Sequence, residues 1–221
     1  MKKRFSTKEL TMLAMISAIA YVLVSTIRIP VVLFLKYEPK DVIITIGGFL
    51  MGPGAVLISS GVVSLIEMFS ISETGIIGCI MNFLSTCSFA CVAALVYKKN
   101  HTIRGAITGL AVGTVFMTIV MLLWNYLITP LYMGLPREEV AALLVPAFLP
   151  FNLVKAGLNS SITLLLYKPL VTGLRKAGLI TPSATAPAAS GSAAKKPFVL
   201  IFAGLLLVTC VLFVLVMRGI I

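Results

Sequence analysis

The sequence predicts an all-α integral membrane protein, and its composition and hydropathy are the observations that predict it. Of 221 residues, 59% are hydrophobic and 11% are charged, whereas soluble domains carry roughly a quarter charged residues. The mean hydropathy is +1.09. A membrane-spanning helix needs about 20 mostly apolar residues, and such stretches recur along this chain. We therefore predict a helical membrane bundle followed by one additional C-terminal helix.

Six long apolar stretches define the predicted membrane spans. They cover residues 9–27, 54–71, 76–97, 105–128, 149–172 and 198–217. Residues 42–51 form a shorter apolar stretch that ends at Gly52-Pro53-Gly54, a run that breaks or turns a helix. We predict a short span there, because the distribution of basic residues requires a crossing at that point.

The distribution of Lys and Arg predicts a cytoplasmic N-terminus. In this orientation the inner segments carry twelve of these residues and the outer segments five, as the positive-inside rule expects. The net charge of +11 then reflects topology and contact with anionic lipid headgroups, and it does not indicate nucleic-acid binding. A cleavable secretory signal is the alternative for the N-terminus, but the apolar run continues to Ile27, which favours a first membrane helix.

The chain divides into three predicted regions. Residues 1–180 hold the first six spans and form the membrane domain. Residues 181–197, with the sequence TPSATAPAASGSAAKK over 181–196, are rich in Ala, Ser, Pro and Thr, which is typical of a flexible linker. Residues 198–217 form the additional transmembrane helix.

Known catalytic and metal-binding patterns are missing from the sequence. It contains no phosphate-binding G-x-x-x-x-G-K-[ST] loop, no G-x-S-x-G elbow and no H-E-x-x-H motif. The four cysteines form no CxxC pair, and His101 is the only histidine. We predict neither an enzyme nor a metal site, and any nucleotide hydrolysis that drives the protein must occur in another chain.

Lys155 is the most informative residue of the predicted spans. A lysine near the centre of a membrane helix costs about 2.5–3.5 kcal/mol, unless its side chain snorkels to the interface. Asn152 and Asn159 lie three residues before and four after it, on the same helix face. Such a polar stripe facing lipid would be left unsatisfied. We predict that it faces a cavity, with snorkelling as the alternative.

Two other spans carry polar residues at a similar depth. Asn125 and Thr129 share one helix face, and Asn82 lies near Ser85 and Thr86. Each group alone fits an interhelical hydrogen bond, but three groups at one depth favour a pocket. We predict a neutral polar pocket with one cation, open to the outside.

Two outer loops are predicted to roof this pocket. The first contains residues 37–41 and the second is the long connection over residues 129–148. Glu67, the other ionisable residue within the spans, is predicted near their outer edge. The glycine ridge Gly105, Gly109 and Gly113 is predicted to pack inside the bundle.

Five motifs of this chain resemble those of the riboflavin-specific S components of energy-coupling factor (ECF) transporters. They are LKYEPKD (35–41), GGFLMGP (47–53), GIIGCIMNFLST (75–86), NYLITP (125–130) and PFNLVKAG (150–157). The resemblance covers about residues 1–178, and the last motif is the most specific. S components are six-helix substrate-binding proteins with both ends in the cytoplasm, so residues 198–217 would be an addition to the S-component bundle.

The resemblance implies high-affinity riboflavin uptake across the bacterial cytoplasmic membrane. It implies partnership with a transmembrane coupling subunit and two ATPase subunits, which use ATP, and no resident cofactor. Leu35, Met81 and Trp124 are candidates to cover the flavin ring. The substrate-binding candidates are Asn125, Asn152, Lys155, Asn82, Tyr37, Glu38, Asp41 and Thr129.

The resemblance also implies a docking face for the coupling subunit. Ala14 and Ala18 form a small-xxx-small ridge in the first span, which permits close approach of another helix. The corresponding ridge docks the coupling subunit in the family, so these two residues are the interface candidates. Packing within the bundle is the alternative role.

Three other functions remain open from the sequence. The pocket could serve an S component for a different vitamin, since Asn and Lys bond many ligands. A self-sufficient secondary transporter usually has an internal repeat and a mid-membrane coupling acid, and the sequence shows neither. A purely structural protein leaves the polar stripe unexplained.

Overall fold

The computed structural model describes residues 6–176 and 196–220, and helices dominate both ranges. Within these ranges six helical stretches are long and apolar enough to cross a membrane. They are Thr7–Thr26, Pro53–Ser70, Gly75–Lys99, Ile103–Met133, Arg137–Tyr167 and Val199–Met217. The chain is therefore a multi-pass membrane protein, and the predicted all-α membrane class is confirmed.

Eight α-helices and one β-hairpin make up the described chain. In order they are α1 (Thr7–Thr26), β1 (Ile29–Val32), β2 (Leu35–Tyr37), α2 (Lys40–Met51), α3 (Pro53–Ser70), α4 (Gly75–Lys99), α5 (Ile103–Met133), α6 (Arg137–Leu143), α7 (Leu149–Lys176) and α8 (Lys196–Met217). A π-helical turn, Leu144–Phe148, joins α6 to α7. The antiparallel hairpin was not predicted from the sequence.

Local sequence signals explain where several helices begin and end. Ser6 and Glu9 form a capping box at the start of α1, each side chain accepting a hydrogen bond from the other residue's backbone N–H. Gly52, with φ +92°, separates α2 from α3, a conformation that glycine adopts without strain. Pro53 then opens α3, where its missing N–H costs nothing.

Helices α4 and α5 pack with their backbones in close contact. A Cβ atom on Gly109 would lie 2.7 Å from the backbone oxygen of Ala93, and one on Gly113 would lie 2.6 Å from that of Phe89. Only glycine permits such an approach of two backbones. The predicted internal packing of this glycine ridge is confirmed at these two positions.

Helix α2 lies inside the bundle. Nine of its twelve residues are buried, and it contacts α1, α3, α4 and α7. Lys40 and Asp41 are its first residues and both are buried, so their predicted place in an exposed outer loop is wrong. Whether α2 crosses the membrane as a short span stays a prediction.

The predicted loop over residues 129–148 is also wrong. Helix α5 continues through Pro130 to Met133, and α6 with its π-helical turn fills most of the remainder. Gly134 ends the helix in the left-handed conformation, and its backbone N–H donates a hydrogen bond to the Pro130 backbone oxygen. This connection is a folded part of the bundle.

Helix α8 packs along α7 and touches β1. The Cys210 side chain fills the space beside Gly157 of α7, since a Cβ atom on that glycine would lie 2.7 Å from the Cys210 Sγ. Helix α8 is therefore a peripheral helix that packs on the bundle. The predicted linker, residues 181–197, lies almost entirely outside the described residues.

Candidate ligand-binding site

A cleft opens at the hairpin end of the bundle. The space that it encloses, counted out to its open mouth, is about 640 Å³. Strand residues, three long helices and the turn before α4 all contribute to its wall. The lining residues are Arg28, Phe34, Leu35, Lys36, Glu38, Glu73, Thr74, Met81, Asn82, Ser85, Met121, Asn125, Phe151, Asn152 and Lys155.

Five of the eight predicted substrate-binding residues line this cleft. Asn82 comes from α4, Asn125 from α5, Asn152 and Lys155 from α7, and Glu38 follows the hairpin. Three helices distant in sequence thus bring their polar groups to one cavity, as the equal depth of these groups predicted. Whether these side chains bind a substrate stays a prediction.

The other three predicted residues lie outside the cleft wall. Tyr37 is buried in an apolar cluster formed with α7 and α8. Asp41 is 1% exposed and lies behind Lys155. Thr129 donates a hydrogen bond of 2.9 Å to the Asn125 Oδ1, so it can act on the cleft through that asparagine.

Lys155 is a buried, paired lysine. It is 6% exposed, its Nζ lies 3.4 Å from Asp41 Oδ2, and it donates a hydrogen bond of 3.2 Å to Ser85 Oγ. The side chain is therefore held inside the bundle, and snorkelling is not its role. One of its three donor positions remains after these two contacts.

The Asp41 carboxylate, besides its contact with Lys155, accepts hydrogen bonds from two other helices. Thr86 of α4 donates a hydrogen bond of 2.6 Å to its Oδ1, and Asn159 of α7 donates one of 3.2 Å to its Oδ2. These contacts fix the carboxylate, and the carboxylate in turn orients the lysine. The polar stripe predicted on α7 therefore serves two purposes: Asn152 and Lys155 reach the cleft, and Asn159 supports Asp41 beneath it.

A second buried ion cluster stands beside the cleft. Lys40 Nζ lies 2.6 Å from Glu67 Oε2 and 2.9 Å from Glu38 Oε2, and Arg28 Nη2 lies 3.0 Å from Glu38 Oε1. Asn82 donates a hydrogen bond of 2.9 Å to Glu67. The cluster combines two cations with two carboxylates, so removing one of them leaves a charge of the opposite sign uncompensated, which is costly in an apolar surrounding.

These charges correct the predicted electrostatics of the pocket. The cleft wall carries Arg28, Lys36 and Lys155 together with Glu38 and Glu73, so it is neither neutral nor limited to one cation. Burial raises the pKa of Glu38, but the charges of Lys40, Lys155 and Arg28 outweigh burial and hold its pKa below 4.5. Glu38 is therefore a carboxylate at neutral pH.

The sequence held one signal for the second cluster. Glu67 stands in an apolar span, and an ionisable residue in a membrane helix needs a partner. Its partner Lys40 was assigned to an outer loop, so the pair went unrecognised. In the structure Glu67 is buried within this cluster, with 2% of its surface exposed.

Apolar side chains complete the cleft. Leu35 and Met81 line it as expected, whereas Trp124 lines a neighbouring apolar hollow with Phe34 and Tyr132. The Phe34 ring packs edge-on against Tyr132, with centroids 5.4 Å apart. Phe34 and Phe151 were missed as wall residues, because sequence patterns do not orient a residue of a turn or of a helix facing several neighbours.

Comparison with known proteins identifies the family. The family model described as "ECF transporter, substrate-specific component" matches residues 8–167. The chain belongs to this family. The match ends before the last helix, so α8 is an addition to the part that defines an S component.

Two relatives of this S component are named as riboflavin transporters. The chain is 33% identical to "Riboflavin transporter RibU" of Staphylococcus aureus, over 76% of this chain and 93% of that protein. It is 29% identical to "Riboflavin transporter FmnP" of Bacillus subtilis, over 67% of this chain and 84% of that protein.

A solved structure supports the same family. It is that of the S component of a bacterial ECF transporter, and it aligns with a TM-score of 0.63 and 32% identity. The alignment covers 76% of this chain and 98% of the solved one. The predicted S-component fold is thereby confirmed, and as transport proteins of this kind are not enzymes, so is the prediction of a non-enzyme.

Proposed function

We propose that this S component binds riboflavin at the cleft and delivers it across the bacterial cytoplasmic membrane. The observation that carries the proposal is the cleft itself, where Asn82, Asn125, Asn152 and Lys155 converge. A relative that is 33% identical to this chain is named a riboflavin transporter, which supports riboflavin as the ligand.

The side chains match the chemistry of a flavin. The imide edge of the isoalloxazine ring alternates carbonyl acceptors with an N–H donor, and an asparagine amide offers the complementary donor and acceptor. Lys155 offers only donors, which suits a ring carbonyl or a ribityl oxygen. Leu35, Met81 and Phe151 supply apolar surface for the ring faces.

Asp41 and Thr129 have supporting roles in this proposal. Asp41 holds Lys155 through the 3.4 Å ion pair, and Thr129 holds Asn125 through its hydroxyl. Side chains fixed in this way lose little conformational freedom when the ligand binds, and such preorganisation raises affinity. Both residues then affect riboflavin binding without touching it.

Titration of the purified protein with riboflavin, followed by quenching of flavin fluorescence, tests the proposal. We expect tight binding by the parent and a loss of about 1–3 kcal/mol in Asn152→Leu and in Lys155→Met, the cost of an unpaired buried polar group. Leu153→Met is the matched control, since Leu153 is 46% exposed on the outside of the same helix turn. A folded parent that does not bind riboflavin would refute the proposal.

A competition assay separates riboflavin from other vitamins. Unlabelled vitamins are added to the riboflavin complex, and displacement by a non-flavin at lower concentration than riboflavin would assign the cleft to that vitamin. Uptake measured with and without the ATPase subunits separates an ECF subunit from a secondary transporter. We expect accumulation against a gradient only when the ATPases hydrolyse ATP.

The coupling-subunit interface is proposed at Ala14 and Ala18. Both side chains are exposed on α1, which favours an intermolecular role for the ridge over packing within the bundle. We expect Ala14→Trp and Ala18→Trp to abolish uptake and to leave riboflavin affinity unchanged. Val115→Trp, at a position 59% exposed on α5, is the control and should transport normally. Loss of affinity in the α1 variants would contradict this assignment.

In this proposal the N-terminus is cytoplasmic and the cleft opens outward. The hairpin end then faces the vitamin outside the cell, and the Ala14–Ala18 ridge lies at the middle of α1. Labelling of an N-terminal tag in intact and in permeabilised cells checks the orientation. Labelling of the tag in intact cells would show that the N-terminus lies outside and would contradict the proposed orientation.

A further inference from the structure

Helix α8 lies beyond the family match and plays no part in the function proposed above. We propose that it is a positioning element for ligand binding, which holds the β1–β2 hairpin over the mouth of the cleft. The inference rests on the proposed function for its ligand, riboflavin, and on α8 contacts for its mechanism.

The hairpin cannot hold its own position. It has three paired positions, Ile29 with Tyr37, Pro30 with Lys36 and Val32 with Leu35. An isolated two-stranded hairpin is only marginally stable in water. Its placement must therefore come from the surfaces against which it packs.

Helix α8 provides one of these surfaces. Cys210 and Val214 are 7% and 9% exposed, and both belong to the apolar cluster that contains Val31, Leu35 and Tyr37 of the hairpin. The same cluster includes Phe148, Phe151, Val154 and Leu158. Helix α8 thus closes the side of a cluster whose other members come from the hairpin, from α6 and its π-helical turn, and from the first part of α7.

The contact with α7 is specific in shape. Gly157 leaves the space that the Cys210 thiol occupies, since a Cβ at this glycine would lie 2.7 Å from the sulfur. On its other side α8 presents large apolar residues, among them Leu205, Val208 and Leu212, each at least 49% exposed. One face of the helix is therefore fitted to the bundle and the other to lipid.

The hairpin connects this packing to the cleft. Phe34, Leu35 and Lys36 line the cleft wall, and Leu35 is also a member of the apolar cluster that α8 closes. In this proposal the ligand passes this edge when it enters or leaves. Loosening α8 should therefore let the hairpin open more often and shorten the residence time of the ligand.

The first test uses point variants of the full chain. Cys210→Phe places a bulky ring at the Gly157 contact, Cys210→Ala keeps a small side chain there, and Val211→Phe adds the same ring at a position 44% exposed. We expect Cys210→Phe to raise the dissociation rate constant of riboflavin about tenfold, equivalent to about 1.4 kcal/mol. The other two variants should match the parent. Parent-like dissociation from Cys210→Phe would overturn the inference.

A second readout does not require riboflavin. Hydrogen exchange of the backbone amides of residues 29–37 reports opening of the hairpin directly. We expect faster exchange in Cys210→Phe than in Val211→Phe, with exchange in α4 unchanged. Equal exchange in the two variants would overturn the inference. A parent that fails to bind riboflavin but shows this difference would refute the proposed ligand and leave the role of α8 standing.

A cross-link covers the case in which Cys210→Phe does not fold. Cys79, Cys87 and Cys91 are replaced by Ala, and Gly157→Cys is introduced opposite the native Cys210. Oxidation should join α7 to α8, which is detected by cutting the chain between them with a protease. We expect slower riboflavin dissociation and slower exchange at residues 29–37 in the oxidised sample than in the reduced one. Failure to cross-link, or equal behaviour of both samples, would overturn the inference.

Discussion

The two ends of the bundle are stabilised in different ways. At the hairpin end, five charged residues are buried to 6% exposure or less: Glu38, Lys40, Asp41, Glu67 and Lys155. At the opposite end the buried core consists of aromatic residues and small residues. The Phe49 ring packs against Tyr97 and Tyr167 at centroid distances of 4.5 and 5.9 Å, and the two tyrosine hydroxyls share a hydrogen bond.

This difference separates binding from scaffolding. Close packing of glycines and rings fills space and leaves no room for a ligand, whereas ion pairs keep polar groups at defined positions around a cleft. Buried ion pairs are a poor source of stability because desolvation offsets their attraction. We infer that the charges at the hairpin end are there to orient Asn82 and Lys155, and that the opposite end supplies the rigidity.

The largest effect is expected from breaking the buried ion cluster. Glu67→Gln removes the charge that lies 2.6 Å from Lys40, so that Lys40 and Arg28 share one carboxylate, Glu38, and one positive charge is left uncompensated. Breaking such a pair costs about 3–5 kcal/mol, so the thermal unfolding midpoint of the ligand-free protein in detergent should fall sharply. Glu138→Gln, at an exposed position of α6, is the control. An unchanged midpoint for Glu67→Gln would show that the cluster is not a coupled unit.

A smaller effect is expected from overpacking the opposite end. Gly113→Ala places a methyl group 2.6 Å from the Phe89 backbone oxygen, and α4 and α5 must separate to admit it. Such overpacking typically costs about 1–3 kcal/mol, again measured by the unfolding midpoint. Gly54→Ala is the control, since nothing lies within 4 Å of a Cβ there. Riboflavin affinity should change little, and a selective loss of affinity would contradict the division of roles.

The sequence predicted the features that depend on local pattern. The stretch predicted at 54–71 became α3, Pro53–Ser70, and the Asn152, Lys155 and Asn159 stripe was visible because helical spacing places these residues on one face. The pairing of that stripe was not visible. Asp41 and Asn159 are 118 residues apart, and no local pattern joins them.

Each of the three errors has a physical cause. The β-strands have four and three residues, which is too few for alternation to be recognised. Lys40 was assigned to a loop because it precedes the apolar stretch at 42–51, but in the structure it belongs to α2 and two carboxylates surround it. The connection at 129–148 contains Pro130, which suggests a helix end, whereas in the structure the helix continues for three residues beyond it.

Acid should weaken the hairpin end before it weakens the opposite end. The charges of Lys40, Lys155 and Arg28 overcome burial and hold the pKa of Glu38 below 4.5. Because the folded state favours the carboxylate, its stabilising effect is complete above the pKa of the unfolded chain and disappears as the pH falls through the folded pKa. We expect exchange at residues 29–37 to accelerate as the pH falls below 4.5, after correction for the intrinsic exchange rate.

Glu38→Gln tests whether this carboxylate is responsible. The variant should open its hairpin more readily at neutral pH and show a flatter dependence on acid than the parent. Glu139→Gln, exposed on α6, should keep the parent's dependence. An identical acid response in Glu38→Gln and the parent would assign the effect to another group.

The smallest effect is expected from the exposed ion pair at the mouth of the cleft. Lys36 Nζ lies 2.7 Å from Glu73 Oε1, closer than Lys155 lies to Asp41, but the Glu73 side chain is 72% exposed. Water and salt screen such a pair, so Glu73→Gln should leave the unfolding midpoint within error of the parent, and raising the salt concentration should not widen the difference. The Lys36–Glu73 and Lys40–Glu67 pairs have nearly equal distances, 2.7 and 2.6 Å, and differ in burial, so comparing them tests whether burial or distance determines the contribution of an ion pair here. A loss from Glu73→Gln as large as that from Glu67→Gln would show that distance decides, and the contrast between the two ends would then have to rest on packing alone.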